Sequence, residues 1–70
     1  MNISVKYIQE NKALNKILME VHFYEQIEGL GYNAAVTVWV PASDSRSEIE
    51  AFAKIEALAF LKRLISVHSH

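Results

Sequence analysis

The sequence contains no cysteine, and it contains only two glycines and one proline among its 70 residues. The absence of cysteine excludes disulfide bonds and thiolate metal sites, and it suits a reducing compartment. We therefore expect a cytoplasmic protein. A hydrophobic content of 51% with so little glycine and proline indicates a folded chain and excludes a disordered one.

Long apolar runs and an excess of positive charge are also missing. No apolar run approaches the ~20 residues of a transmembrane helix, and MNISVKYIQENK at the start lacks the apolar stretch of a signal peptide. We expect no membrane association. Seven basic residues stand against eight acidic ones, so the composition does not favour nucleic acid, which proteins bind by neutralising its phosphates.

The small size of the chain limits its stability. Seventy residues suffice for one domain, which buries only about 60% of the surface exposed by its unfolded form. Small domains are usually stabilised by disulfides, a metal or a partner subunit. Because cysteine is absent, association with another subunit is the simplest remaining source of stability.

Three segments alternate apolar and polar residues with a period of two, which predicts three β-strands over residues 3–9, 17–27 and 32–40. Residues 10–16 are polar and predict a loop. The two glycines of Glu28–Gly31 predict a four-residue hairpin loop. This loop implies three cross-strand pairs on the apolar face: Ile27 with Tyr32, Phe23 with Val36, and Val21 with Val38.

A long helix is predicted after Pro41, which ends the third strand. Ser45 and Glu48 have the spacing of a capping box, and neither glycine nor proline occurs between Arg46 and Ser66. We expect the tail from Val67 to fray. The predicted fold is therefore α+β, a three-stranded antiparallel meander (β-β-β-α) with one long C-terminal helix packed on one face. We expect residues 1–70 to form one small domain of this class.

The apolar residues of this helix occupy two faces, separated by charged residues that include the pairs Glu50–Lys54 and Glu56–Arg63. One face is expected to cover the sheet, with Ile49, Ala53, Ala57, Phe60, Leu61 and Leu64. The second face is a candidate interface formed by Ala51, Phe52, Ile55, Leu58, Ala59 and Lys62. Its apolar residues are either ordinary scattered exposure or a surface for a partner. We favour a partner, either a second copy in a two-fold homodimer or another protein.

The other side of the sheet is expected to display polar and aromatic residues: Lys6, Glu20, His22, Tyr24, Thr37 and Trp39. In the predicted register Glu20 lies opposite Trp39, and His22 lies opposite Thr37. The aromatic rings could stack on bases or on a flat ligand. Alternatively, these residues form stabilising cross-strand pairs or a contact between the sheets of two copies.

No catalytic, cofactor-binding or metal-binding residue is predicted. His22 is a candidate base near the hydroxyls of Tyr24 and Thr37, but no nucleophile has an identifiable partner and an open sheet offers little concavity. His68 and His70 supply only two ligands, too few for a metal site. We therefore expect a protein that is not an enzyme and has no cofactor or small-molecule substrate.

The order strand, strand, strand, helix, with a serine-rich start to the helix, resembles the C-terminal part of double-stranded-RNA-binding domains. GLGYNAAVTVWVP followed by SEIEAFAKIEALAFL is also similar to the small HicB-type antitoxins. The first resemblance implies RNA binding through a nucleic-acid-binding module, and the second implies a regulatory protein that binds a larger partner. The residues themselves favour a non-enzymatic protein–protein interaction module, and they do not define a biological role.

Overall fold

The computed structural model describes residues 1–68, without the side chain of His68, as a sheet of three antiparallel strands followed by one helix. Strand β1 spans Asn2–Asn11, β2 spans Lys16–Ile27, β3 spans Leu30–Pro41, and helix α1 spans Arg46–His68. The strand order is β1-β2-β3, which confirms the predicted α+β meander. The helix continues through Val67, where fraying was predicted, and Ser69 and His70 lie outside the described residues.

The turn between β2 and β3 contains two residues, so the predicted four-residue loop is wrong. Glu28 and Gly29 have φ angles of 54° and 79°, the left-handed conformation of a type I′ turn, and Ile27 pairs with Leu30. The register is consequently shifted by two residues, with Val21 opposite Val36. A shift of two leaves every side chain on its predicted face, because side chains alternate with a period of two.

The turn allows a first test of stability. Replacing Gly29 with valine is expected to lower the free energy of unfolding by about 1–3 kcal/mol, because a β-branched residue is strained at positive φ. Replacing Glu28 with asparagine is expected to raise the unfolding free energy by a few tenths of a kcal/mol, since asparagine tolerates this conformation. Urea denaturation of both variants measures the two effects. Equal unfolding free energies of the two variants would contradict the type I′ turn.

Strand β1 contains a bulge that the period-two pattern did not reveal. The register with β2 shifts between Tyr7 and Gln9, so that Gln9 lies opposite Leu18 and Glu10 lies opposite Ile17. Ile8 is the extra residue. The regular part of β1 therefore ends at Tyr7.

Among residues 1–67, nine buried residues form a core between the sheet and the helix. The core residues of β2 and β3 alternate along each strand, and the helix contributes only alanines. Val5, Ala42, Ile49 and Leu61 pack at the border of this cluster. The buried residues are Ile17, Met19, Val21, Phe23, Val36, Val38, Val40, Ala53 and Ala57.

Helix α1 covers the sheet unevenly, packing mostly on β3, less on β2 and least on β1. Ala53 and Ala57 have no exposed area, which confirms that they face the sheet, and their small side chains let the helix approach the strands closely. Phe60 and Leu64 belong to the face that was expected to cover the sheet, but they remain 41% and 39% exposed. A depression near the hairpin is lined by strand residues and Met1, without a residue of the helix.

Hydrogen bonds of Ser43, Ser45 and Glu48 cap the start of the helix. The backbone N–H of Glu48 donates to Ser45 Oγ at 3.3 Å, as the capping box predicts. The Glu48 carboxylate accepts from the Ser43 hydroxyl at 2.9 Å, and Ser43 Oγ accepts from the Ser45 N–H at 3.1 Å. The carboxylate Oε2 of Glu50 lies 4.0 Å from Nε of Arg46, four residues earlier in the helix. The predicted partner of Glu50 was Lys54, four residues later.

Candidate functional site

The second apolar face of the helix is exposed along its whole length. Phe52, Ile55 and Leu58 have exposed fractions of 43%, 61% and 45%. Ala51, Ala59 and Lys62 are exposed beside them. All six candidate interface residues are therefore exposed, and the helical period places them on the side of α1 opposite Ala53 and Ala57.

Ile65 belongs to the same face and was missed in the sequence. It follows Leu58 by seven residues, and it is 68% exposed. The spacing of two helical turns was the signal that could have identified it. We call Ala51, Phe52, Ile55, Leu58, Ala59, Lys62 and Ile65 the outer helix face.

The molecule is extended for its mass. It exposes 5394 Å² for 8.0 kDa, whereas a compact monomer of this mass exposes about 4,450 Å². Its radius of gyration is 13.7 Å, against about 11 Å for a compact chain of this length. The additional area, roughly 900 Å², is close to the ~800 Å² that each partner buries in a standard protein–protein interface.

The open sheet face has a different arrangement from the predicted one. Glu20 of β2 lies between Lys6 and Thr37, which makes one row across the three strands. His22 lies between Ser4 and Ala35, so neither Trp39 nor Thr37 occupies its predicted place. The reason is again the two-residue turn, which moves β3 by two positions along β2.

The two aromatic residues of the open face are far apart. Trp39 pairs with Leu18, six residues from Tyr24 along β2, which corresponds to about 20 Å. A Cβ atom added to Gly31 would lie 3.2 Å from the Tyr24 ring, so this ring covers the glycine of the neighbouring strand. Trp39 is 43% exposed beside Leu18, a partner that was missed in the sequence. Tyr24 and Trp39 therefore cannot stack on the same flat ligand.

Strand β1 carries a second apolar surface. Ile3, Val5 and Tyr7 point to the side of the sheet that holds the core, but the helix covers β1 least. Ile3 is 39% exposed and Tyr7 is 55% exposed, whereas the core residues of β2 and β3 are buried. We call these three residues the β1 row.

Comparison with known proteins identifies no relative. The chain matches no family model, no curated protein sequence and no solved structure. The likeness to double-stranded-RNA-binding domains and to HicB-type antitoxins is therefore one of element order alone. Where those RNA-binding domains carry lysines, this chain has Ser45, Arg46, Ser47 and Glu48.

The described residues form no site with evident ligand chemistry. Among the side chains of residues 1–67, no three of His, Asp or Glu come together as metal ligands. In the same part of the chain, no helix combines the length and the apolar character needed to cross a membrane. A groove lies between Val5 and Tyr7 of the β1 row and the start of the helix, and its lining includes Arg46 and Glu50. Apolar surface thus dominates the candidate sites.

Proposed function

We propose that this chain is a small, non-enzymatic protein-interaction module that acts in the cytoplasm and associates with a second copy of itself through the outer helix face. The observation that carries the proposal is the exposure of Phe52, Ile55 and Leu58 on a helix whose opposite side already covers the sheet. Contiguous apolar patches of this kind mark interaction sites. Two-fold pairs of identical subunits are the commonest oligomers.

The core of this chain is small, so association would contribute strongly to its stability. Fully burying a large apolar side chain contributes about 1.5–3 kcal/mol, so covering the half-exposed Phe52, Ile55 and Leu58 contributes roughly 1 kcal/mol each. A domain of this size rarely exceeds about 3–5 kcal/mol of stability by its own core. Contact between two outer helix faces would therefore add a large fraction of the stability of each copy.

The spacing of the outer helix face suits helix–helix packing. Five of its positions, 51, 55, 58, 62 and 65, follow the alternating four- and three-residue steps of a helix–helix seam, and Phe52 and Ala59 flank this seam on one side. An antiparallel two-fold pairing sets Ile55 against Leu58 of the second copy. The same pairing sets Lys62 beside the small Ala51, where its aliphatic stem can pack while the ammonium group reaches water.

Two charges introduced into this face test the proposal. Phe52→Glu combined with Ile55→Glu is expected to halve the mass of the assembly in multi-angle light scattering, because carboxylates cannot be buried without a partner. The melting temperature should fall in parallel. An unchanged mass, or a wild-type chain that is monomeric at high micromolar concentration, would refute self-association through this face.

Two further variants act as controls for this experiment. Asn33→Glu combined with Ala35→Glu adds the same charge to exposed positions of β3, and it should leave the mass unchanged. Lys62→Leu removes the one charged side chain of the outer helix face, and it should tighten association by about 10-fold, which corresponds to about 1.4 kcal/mol. Opposite responses at positions 52 and 62 would not arise from a general loss of folding.

A further inference from the structure

We infer that strand β1 is a second self-association site, which pairs antiparallel with β1 of another copy and joins two three-stranded sheets into one sheet of six strands. This inference goes beyond the proposed helix contact and does not depend on it. β1 is an edge strand of ten residues. Every second N–H and C=O group of an edge strand points away from the sheet and can pair with another chain.

The two edges of the sheet differ in how they are protected. The helix packs mainly on β3, and β3 ends at Pro41, which cannot donate a hydrogen bond. The segment from Asn2 to Tyr7 has no proline, no glycine and no bulge, and its one charged residue is Lys6. β1 therefore lacks most of the features that keep edge strands from pairing.

The β1 row shows what a partner strand would cover. Val5, Tyr7 and Met19 form the floor of the groove whose wall is the first turn of the helix. β1 is an edge strand, so no strand lies beside the floor of this groove on its outer side. A further strand whose side chains on that face are apolar would extend the floor and bury Ile3 and Tyr7, and β1 itself has this pattern.

Symmetry and charge select one register for two copies of β1. The two-fold axis that relates two antiparallel copies of β1 in one sheet is perpendicular to that sheet. Because paired residues share a face, the axis passes between one residue and the same residue of the second copy. An axis at Lys6 would place two ammonium groups opposite each other, which is destabilising. An axis at Ser4 would leave Tyr7 opposite Met1, which precedes the strand.

An axis at Val5 satisfies both faces of the sheet. On the apolar face it pairs Ile3 with Tyr7 of the second copy, and aromatic–β-branched pairs are among the favourable cross-strand contacts. On the open face it pairs Ser4 with Lys6 of the second copy, while Lys6 keeps Glu20 as its neighbour on β2. The bulge at Ile8 ends the regular pairing after Tyr7.

This axis is perpendicular to the one proposed for the outer helix face. Pairing through β1 extends the sheet sideways, whereas contact between helices stacks two copies, each with a thickness of 16 Å. Where the two perpendicular axes intersect, the two contacts together close an assembly of four chains with dihedral symmetry. That assembly has two six-stranded sheets outside and four helices between them.

Cysteine cross-linking tests the register, because the chain has no cysteine of its own. Val5→Cys should give a disulfide-linked pair in high yield on mild oxidation, since cross-strand neighbours lie within reach of a disulfide. Ser4→Cys should not, because two Ser4 residues would be about 8 Å apart, beyond the ~7 Å limit between Cα atoms. Equal yields at positions 4 and 5 would overturn the proposed pairing.

Charge variants test the same contact without touching the core. Ser4→Lys places like charges opposite Lys6 twice in the symmetric pair, and it should weaken association through β1 by at least about 10-fold. Ser4→Glu should strengthen it, with both effects measured as dissociation constants by sedimentation. Identical constants for the two variants would overturn the inference, because a purely structural effect at this exposed position has no reason to follow charge.

Combining the variants separates the two contacts. In sedimentation velocity the wild-type assembly should contain four chains. The variant with Phe52→Glu and Ile55→Glu should form pairs joined through β1, and adding Val5→Cys to it should still give the cross-link. Ser4→Lys should leave pairs joined by their helices, and the combination of all three substitutions should be monomeric. If Phe52→Glu with Ile55→Glu is already monomeric and Val5→Cys gives no cross-link, pairing through β1 is refuted while the helix contact stands. If only Ser4→Lys lowers the mass, the helix contact fails and pairing through β1 stands.

Discussion

Replacing Val21 with aspartate is expected to unfold the chain at neutral pH. Val21 lies in the central strand between Val5 and Val36, faces the helix and has no exposed area. A carboxylate at this position would be buried without a hydrogen-bonding partner, at a cost of more than about 4 kcal/mol. This cost is comparable to the whole stability expected for a domain of this size. Circular dichroism at 25 °C should show the loss of both strand and helix signals.

A matched variant shows whether burial is the cause. Val67→Asp introduces the same side chain on the helix at a position that is 70% exposed. It should change the unfolding free energy by less than about 1 kcal/mol, mostly through repulsion from the C-terminal end of the helix dipole. A folded Val21→Asp protein with native circular dichroism would contradict the position of Val21 in the core.

A phenylalanine at Ala57 is expected to separate the helix from the sheet. Ala57 is fully buried where the helix backbone approaches the strands, so no space exists for a ring. Overpacking a core costs about 1–3 kcal/mol and forces the backbone apart. The midpoint of urea denaturation should fall, and near-ultraviolet circular dichroism should weaken before the far-ultraviolet signal does.

The control for this substitution is Ala59→Phe, on the exposed side of the same helical turn. Both variants are best made together with Phe52→Glu and Ile55→Glu, so that association through the outer helix face does not contribute. In that background Ala59→Phe should leave the urea midpoint unchanged. If the two phenylalanines have equal effects, the close contact of helix and sheet at Ala57 is wrong.

The faces of the strands were predictable because one physical rule determines them. Alternating side chains placed Ile17, Met19 and Val21 on the core side, and no turn type could change this assignment. The register was less accessible, because two glycines near a hairpin allow both a two-residue and a four-residue loop. The left-handed conformation of Glu28 decides between them, and glutamate carries no sequence signal for it.

The candidate surfaces were predictable in part. The outer helix face followed from the spacing of Phe52, Ile55 and Leu58, and every residue of the candidate interface is exposed. The exposure of the β1 row was not predictable, since nothing in a linear pattern shows where a helix lies across a sheet. The same reason explains Phe60 and Leu64, which have the correct helical phase for the core but lie beyond the covered part of the sheet.

Because the core is small, the folded fraction of the chain is expected to depend on its concentration. Nine buried residues, two of them alanines, leave little stability to a chain that has met no partner. Under the proposed assembly, dilution favours the unfolded state by mass action, and concentration favours the folded one. Unassembled chains would then open more often and be removed by proteases, so the level of the protein would adjust to the amount that can assemble.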